Sequence, residues 1–415
     1  MSWLEVGRVP GLMHLVSLQQ AAGVESHFAE FVRRAAERHP QWSHGWVNGA
    51  RAMHPFFREQ LRPVLKDTID AKHRWHVKLP SKPDWIRAWH CRRSFRAAGT
   101  DAVLIWNRTS RAGFIVDAIG ARNCIHWEHG AAWDPGRERE RRRHLDRIPL
   151  AIANSHAAAR VLKLLWGFRG DIRVCLNALR PSLRPEGPIA KKYPEAAVKL
   201  GVAARLFPVK GVALVLHAVK LLHADGMGVE LHIAGTGPEL PRLQALAEAL
   251  NVAPLCRFHG AVADMRGFYR SIDCLLHVPL TEAFGLVAIE AAAYGCPVIA
   301  AAVDGLPEAV ANGVSGYCVA PQLPLEEYVR LGGSREGLPA DVYDAQTDGL
   351  HEPRAVDPVA LAASVRQLFA GSDVYERLSR SASEHIATNF DFDTHVDEVM
   401  RAIDGLARSP VLHRP

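Results

Sequence analysis

The chain contains no C-x-x-C pair, and no apolar run reaches the roughly 20 residues that a membrane-spanning helix needs. Its seven cysteines (Cys91, Cys124, Cys175, Cys256, Cys274, Cys296 and Cys318) are scattered along the sequence. Scattered thiols without metal-ligand spacing argue against a zinc site and a disulfide framework, and they predict a reducing, cytoplasmic setting. The opening MSWLEVGRVP lacks the basic start and apolar core of a secretory signal, so none is expected. Aromatic residues make up only 7% and follow no stacking pattern, and no nucleic-acid motif is present. No nucleic-acid partner is therefore expected. Internal repeats and low-complexity tracts are absent.

What is present is a soluble globular composition, 48% apolar and 23% charged, over 415 residues. That length exceeds one ordinary core and predicts two domains. The net charge of +6 hides a split. Residues 1–196 hold 33 Lys+Arg against 18 Asp+Glu, a balance of +15, whereas residues 197–415 hold 17 against 26, a balance of −9. The basic half should attract anions: a lipid surface, an anionic glycan or nucleic acid.

Short apolar runs alternate with helical patterns. In the first half, strands are expected at Met13–Leu18, Asp101–Trp106, Asn123–Trp127, Ile148–Ala153 and Val174–Leu176. Helices are expected at Ser26–Arg38 and after Ser155, a capping residue. Residues 42–100 give no clear pattern. Arg180–Pro194, with four prolines and one glycine, reads as a linker. In the second half, strands are expected at Lys199–Val202, Glu230–Ala234, Cys256–Phe258, Cys274–His277 and Pro297–Ala301. Residues 322–357 break this rhythm and read as an inserted loop. An amphipathic helix is expected near Phe392–Leu406. The alternation predicts an α/β protein with two parallel sheets, whose ligands bind at the carboxyl ends of strands, in a cleft between domains.

Five constellations carry chemistry. Glu282, Phe284-Gly285-Leu286 and Glu290 sit where a loop enters an apolar helix, with the two carboxylates eight positions apart. A buried carboxylate needs a partner, and ligand hydroxyls would supply one for Glu290. The helix N-terminus is a seat for phosphate. Two acids flanking a phosphate seat suit a sugar nucleotide. Arg205 and Lys210, after the strand at Lys199–Val202, would hold and neutralise a diphosphate. Gly235-Thr236-Gly237-Pro238, after another strand, allows backbone to approach a ligand closely. His129-Gly130 ends a first-half strand, where an imidazole can donate to a sugar hydroxyl or meet developing charge. Gly23 follows the first strand and would bring backbone near the transferred group.

Residues 199–320 resemble the donor domain of the family-four retaining glycosyltransferases of the GT-B fold. The resemblance rests on Arg205 and Lys210, the turn Gly235–Pro238, and the E-x7-E motif Glu282/Glu290. The first half is loosely similar through Gly23, His129-Gly130 and Ser155. The resemblance implies an N-terminal acceptor-binding Rossmann-like domain over 1–185 and a donor-binding one over 186–390. A C-terminal helix and tail over 391–415 would cross back to the first domain. It implies Glu290 on ribose hydroxyls, Glu282 on the donor sugar, Arg205 and Lys210 on the diphosphate, and His129 near the anomeric carbon. Cations replace a metal, so no cofactor is expected beyond the nucleoside diphosphate sugar as co-substrate. Transfer would proceed with retention, the leaving phosphate taking the acceptor's proton.

Expected acceptors are a glycan or lipid-linked glycan of bacterial lipopolysaccharide, capsule or exopolysaccharide synthesis. Peripheral contact with the inner face of the cytoplasmic membrane is expected through the Arg-rich face around Lys66–Arg96. Ala22 stands where the family often has a first glycine, and Asp304-Gly305 where it has paired glycines. The approach from Pro279 to Glu282 is one residue shorter than usual, and 322–357 is an addition. Two alternatives stay open: a sugar-nucleotide epimerase of similar architecture, and a non-catalytic scaffold that kept the fold.

Overall fold

The computed structural model describes residues 9–19, 23–48, 53–75, 77–107, 112–134 and 136–408. The chain divides into two compact units. One comprises Met1–Ala132, Gly136–Leu176 and Phe392–Pro415; the other comprises Trp133–Pro135 and Asn177–Asp391.

The first unit is built on a seven-stranded parallel sheet: Gly11–Leu15, Ser43–Asn48, Leu65–Asp70, Thr100–Trp106, Cys124–Glu128, Leu150–Ala153 and Asp171–Val174. Its spatial order is third, second, first, fourth, fifth, sixth, seventh. The strand direction of assembly therefore reverses between Gly11–Leu15 and Thr100–Trp106, a topological switch point. The central strands are buried throughout, as parallel strands covered on both faces must be. Ser155 caps the helix His156–Leu164, its hydroxyl accepting from the Ala158 amide at 2.9 Å. The final helix, Phe392–Arg408, packs in this unit against the helix Gly23–Arg38. Arg34 clamps Asp393 with two bonds of 2.5 and 2.6 Å, and His395 lies 3.0 Å from His27.

The stretch 42–100, opaque in sequence, contains two strands of this sheet together with helices Pro55–Leu61 and Trp85–Ala97. Its edge strand Leu65–Asp70 is mostly exposed and carries no apolar alternation, which is why the pattern hid it.

The second unit is a six-stranded parallel sheet: Val198–Ala203, Val229–Ala234, Cys256–Gly260, Cys274–His277, Val298–Ala301 and Gly316–Val319. Its order is third, second, first, fourth, fifth, sixth, so the switch point lies between Val198–Ala203 and Cys274–His277. The helix Val212–Ala224 is apolar nearly all round and buried, as a helix flanked by sheet and further helices must be.

Two expectations need correction. Arg180–Pro194 is part of the second unit rather than a free linker. Its backbone is anchored by Ser383 and Ser379, which accept from the amides of Ile189 and Lys191 at 2.9 and 2.7 Å. The Lys191 ammonium is spent on carbonyls that end the helix Met265–Ser271, including Tyr269 at 2.8 Å. Residues 322–357 are not a bare loop: they form the helix Leu325–Arg330 and the hairpin Val342–Asp344/Gly349–His351. Tyr328, Val342 and Tyr343 are buried, so isolated large side chains anchor a segment that has no periodic pattern.

Candidate functional site

The second unit's switch point gathers charge. After Val198–Ala203 the chain turns through Arg205 to Lys210; after Cys274–His277 it runs to Glu282. The two loops are stitched together, the Leu280 amide donating to the Val209 carbonyl at 2.8 Å. Gly211 adopts φ 66°, and a side chain there would strike the Val278 carbonyl, so only glycine lets the loops approach this closely.

The result is a three-membered cluster. The Lys210 ammonium donates to Glu282 Oε2 at 2.7 Å, and His277 Nε2 lies 3.2 Å from the same oxygen. Burial alone would raise the Glu282 carboxyl, but the Lys210 charge and the His277 bond outweigh it and hold it far below the usual carboxylate range. Burial lowers His277, although Glu282 pulls in the opposite direction. The cluster is thus an ion pair with a neutral imidazole beneath it, and Lys210 and Glu282 remain only 19% exposed. Arg205 stands apart, exposed, its guanidinium 5.4 Å from the Phe207 ring centre.

Glu282 is oriented from behind by Asp304. This buried carboxylate accepts from the Thr281 hydroxyl at 2.5 Å, the Glu282 amide at 3.0 Å, the Tyr343 amide at 2.7 Å and the Trp133 indole at 2.9 Å. Burial pushes its carboxyl up to about 7 against these four donors. Asp304 adopts φ 48°, a conformation favouring glycine but tolerated by Asp. The hairpin of 322–357 thereby reaches the Glu282 loop through Tyr343. Sequence reading noted Asp304 only as a departure; a lone acid beside a glycine gives no sign of four donors from distant segments.

Glu290 lies on the helix Leu286–Ala293, buried. Its partners are protein groups, not a ligand's: Arg180 Nη2 at 2.9 Å on Oε1, and the Tyr269 hydroxyl at 2.8 Å on Oε2. Ligand hydroxyls were the expected partner for Glu290; the protein itself supplies one in Arg180, 110 residues away in sequence. A carboxylate oxygen has two acceptor sites, so each keeps one in reserve. Gly285 begins this helix at φ 99°, where a side chain would strike Leu306. Leu286 is half-buried at its first turn. Phe284 does not line an open mouth; it is buried with its ring centre 5.9 Å from that of Phe390.

The glycine turn also has an internal explanation. Side chains at Gly235 or Gly237 would strike the carbonyls of Ala204 and Leu206. The turn hydrogen-bonds to that loop, the Leu206 amide donating to the Thr236 carbonyl at 2.8 Å. The close approach is thus to the backbone that carries Arg205.

In the first unit, Gly23 opens the helix Gly23–Arg38 with no atom within 4 Å of where a side chain would begin, so packing does not require glycine there. Ala22 lies outside the described residues. The His129 ring stacks on Trp106 (centres 5.2 Å apart, planes 3° apart) and lies 4.8 Å from Trp127. Its Nε2 is buried without a hydrogen-bond partner. Burial pushes it down to about 3, leaving a neutral imidazole at pH 7. Such a ring can donate a hydrogen bond but carries no charge. Glu128 is a structural acid: it accepts from the amides of Gly130 and Ala132 at 2.7 and 2.9 Å and pairs with His126 Nε2 at 3.1 Å, shaping the turn that presents His129.

Residues 188–331 match the family model described as glycosyl transferases group 1. A curated relative from Streptomyces griseus subsp. griseus, D-inositol 3-phosphate glycosyltransferase, is 34% identical over 206 residues, 46% of this chain and 42% of the relative. The chain's match therefore spans less than half the length of that protein. A glycosyltransferase structure from Rickettsia africae superposes with a TM-score of 0.74 at 16% identity, covering 96% of this chain and 99% of that one. The Anabaena protein Alr3699/HepE, in complex with UDP and glucose, gives 0.70 at 17% identity, covering 95% and 100%. These likenesses show that the fold is the GT-B α/β architecture.

Proposed function

We propose that this chain, whose second unit carries a group 1 glycosyl transferase domain, transfers a hexose-type sugar from a nucleoside diphosphate sugar to a glycan or lipid-linked glycan acceptor. The observation that carries this reading is the Lys210–Glu282–His277 cluster at the sheet's switch point, beside the helix that bears Glu290. Open α/β sheets take ligands there. Lys210 and exposed Arg205 bring cationic donors to a diphosphate and stabilise the charge it develops on leaving. Glu282 takes hydroxyls of the donor sugar, and the free acceptor sites of Glu290 take those of the ribose.

No side chain in this cluster is placed as a nucleophile with a base beside it. The resemblance to retaining glycosyltransferases supports transfer with retention, in which the acceptor hydroxyl attacks the face that the diphosphate leaves and the departing phosphate takes its proton. The cations do the work of a metal. His129, neutral, donates to a sugar hydroxyl. The first unit takes the acceptor. Its basic surface supports an anionic or membrane-held one, as in lipopolysaccharide, capsule or exopolysaccharide synthesis at the inner face of the cytoplasmic membrane. Exposed Trp75, Trp85 and Trp89 (82, 67 and 50%), with Arg74 stacked 4.5 Å from the Trp75 ring centre, support peripheral contact through that surface. No helix among the described residues is long and apolar enough to cross a membrane.

The test is a thermal-shift screen against UDP-, GDP-, ADP- and dTDP-sugars, for wild type and Glu290→Ala, each against its own unliganded midpoint. A donor at about 100 times its Kd should stabilise by about 2.7 kcal/mol. A shift with one donor, lost in Glu290→Ala, is the expected result; no shift with any donor counts against the reading.

A further inference from the structure

We propose that the first unit holds a binding pocket for a phosphate monoester borne on a hydroxylated molecule, formed between the helices Trp85–Ala97, Gly113–Ile119 and Glu138–Leu145 and the hairpin His73–Arg74/Val77–Lys78. A cavity of about 690 Å³ lies there, large enough for a sugar phosphate. Its walls carry six cations: Lys72, Lys78, Arg87, Arg139, Arg143 and Arg147. Two carboxylates, Asp84 and Glu140, share these walls, and a third, Asp117, reaches Arg147 from outside the lining. The excess is more than one carboxylate on a ligand would neutralise, and it suits a phosphate monoester, which approaches two charges at pH 7.

Half of these cations are left for a ligand. Arg147 pairs with Asp117 at 2.5 Å, and Arg87 Nη2 donates to the Leu79 carbonyl at 2.8 Å. Arg87 Nε, however, is buried with no acceptor. Lys78, Arg139 and Arg143 are exposed and pair with no carboxylate among the described residues. Arginine's planar fork is suited to binding phosphate oxygens in pairs.

A second observation is independent of this charge. His144 also lines the cavity; it is 4% exposed, and neither ring nitrogen has a hydrogen-bond partner. Buried polar atoms are rarely left so. Burial, aided by His126 and Arg147, pushes it down to about 3, so the ring is neutral, with one nitrogen donating and one accepting. Its complement offers an acceptor and a donor together: a phosphate oxygen and a neighbouring hydroxyl. The pocket stands on this geometry alone; its role as the seat of the acceptor's phosphate rests on the transferase reading above.

The test uses the full chain. Calorimetry measures binding of glucose 6-phosphate, with glucose as the uncharged control. Sedimentation measures binding to phosphatidylcholine vesicles with and without phosphatidic acid, whose headgroup is a phosphate monoester. Lys78→Ala/Arg143→Ala removes two exposed pocket cations. Arg169→Ala/Arg173→Ala removes two exposed cations of the same unit that lie outside the face around Lys66–Arg96 and do not line the cavity. His144→Phe keeps the ring and deletes its nitrogens.

The expected result is binding of one or both probes, weakened about tenfold or more by Lys78→Ala/Arg143→Ala and less than about threefold by the control pair. His144→Phe should weaken glucose 6-phosphate binding without lowering the melting temperature. Binding of glucose 6-phosphate alone identifies a soluble ligand, and binding of phosphatidic acid vesicles alone a lipid headgroup. Equal losses in the two double variants, or no binding by wild type, overturn the pocket. UDP-glucose and the other nucleotide sugars are titrated in parallel. Phosphate binding that fails beside intact donor binding strikes the pocket alone, whereas donor binding that fails beside intact phosphate binding strikes the transferase reading.

Discussion

Both units wind a parallel sheet outward from a central switch point, yet they fill the strand ends in opposite ways. The second unit places an ion pair, Lys210–Glu282, at its switch point, with a carboxylate behind it held by four donors. The first unit packs imidazoles among tryptophans: His14, His27, His129 and His395 around Trp106 and Trp127. A half-buried ion pair can be opened and re-paired by a charged ligand. A neutral aromatic cluster cannot, and what it gives its unit is rigidity and shape. The second unit, net negative, nonetheless places Arg205 and Lys210 at its sheet's end.

The contrast is tested most strongly by acid. In the first unit, burial holds His129 and His144 down to about 3 and His44 and His395 to about 4; His14 is lowered well below its ordinary value too. The unfolded chain takes up these protons near pH 6.5 and the folded chain only well below it. The stability they contribute is thus present above about pH 6.5 and lost as pH falls towards 4. Each histidine held at 3 to 4 costs about 2 kcal/mol at pH 5. Asp304 works in the other direction. Raised to about 7, it favours folding at pH 4 and loses that contribution as pH rises towards 7. Hydrogen exchange read peptide by peptide at pH 7 and pH 5 should show protection collapsing in 9–174 before 198–319. Equal loss in both would break the comparison.

Lys210→Ala should lower donor turnover by about 10²–10³-fold, the scale of removing one preorganised electrostatic contact to a leaving group. His129→Ala should cost much less in turnover, because a neutral ring forfeits one hydrogen bond. Steady-state rates with the donor found by thermal shift decide this; equal losses would mean that the first unit's cluster is chemical after all.

Asp304→Asn should destabilise by about 2 kcal/mol, because an amide turns one N–H pair towards donors that need an acceptor. It should also remove the second unit's loss of stability between about pH 4 and pH 7. Urea unfolding followed at both pH values measures each effect.

The second unit was the more legible in sequence for a physical reason. Most of its strands are short apolar runs, and its site residues follow strand ends within a few positions. Five of its six strands are readable in sequence; Gly316–Val319, with two buried and two half-buried residues, is not. The roles of the residues were harder to read. Glu290 meets Arg180 and Tyr269, and Asp304 meets Trp133 and Tyr343, across separations that carry no local signal. Gly235 and Gly237 are glycines because a neighbouring loop needs the room, a reason visible only once two strands are paired. In the first unit, the basic pocket draws on segments from Lys72 to Arg147, each an ordinary Arg-rich surface when read alone.

The smallest expected effect sharpens the comparison at its most exposed point. Arg205 carries no ion pair among the described residues and touches only the Phe207 ring. Arg205→Ala should therefore leave the urea midpoint unchanged to within about 0.5 kcal/mol, as exposed substitutions do. If Arg205 clasps a diphosphate, the same change weakens donor binding about tenfold, the worth of one charge-assisted contact. Arg205→Lys keeps the charge but not the fork, so recovery of affinity in Lys would mean that Arg205 acts as a point charge. Continued loss would mean paired bonding to phosphate oxygens. Arg93→Ala, an equally exposed cation in the first unit, should change neither stability nor donor binding. Calorimetric titration of the three variants then separates a cation placed by the sheet's topology from one that merely keeps a surface wet.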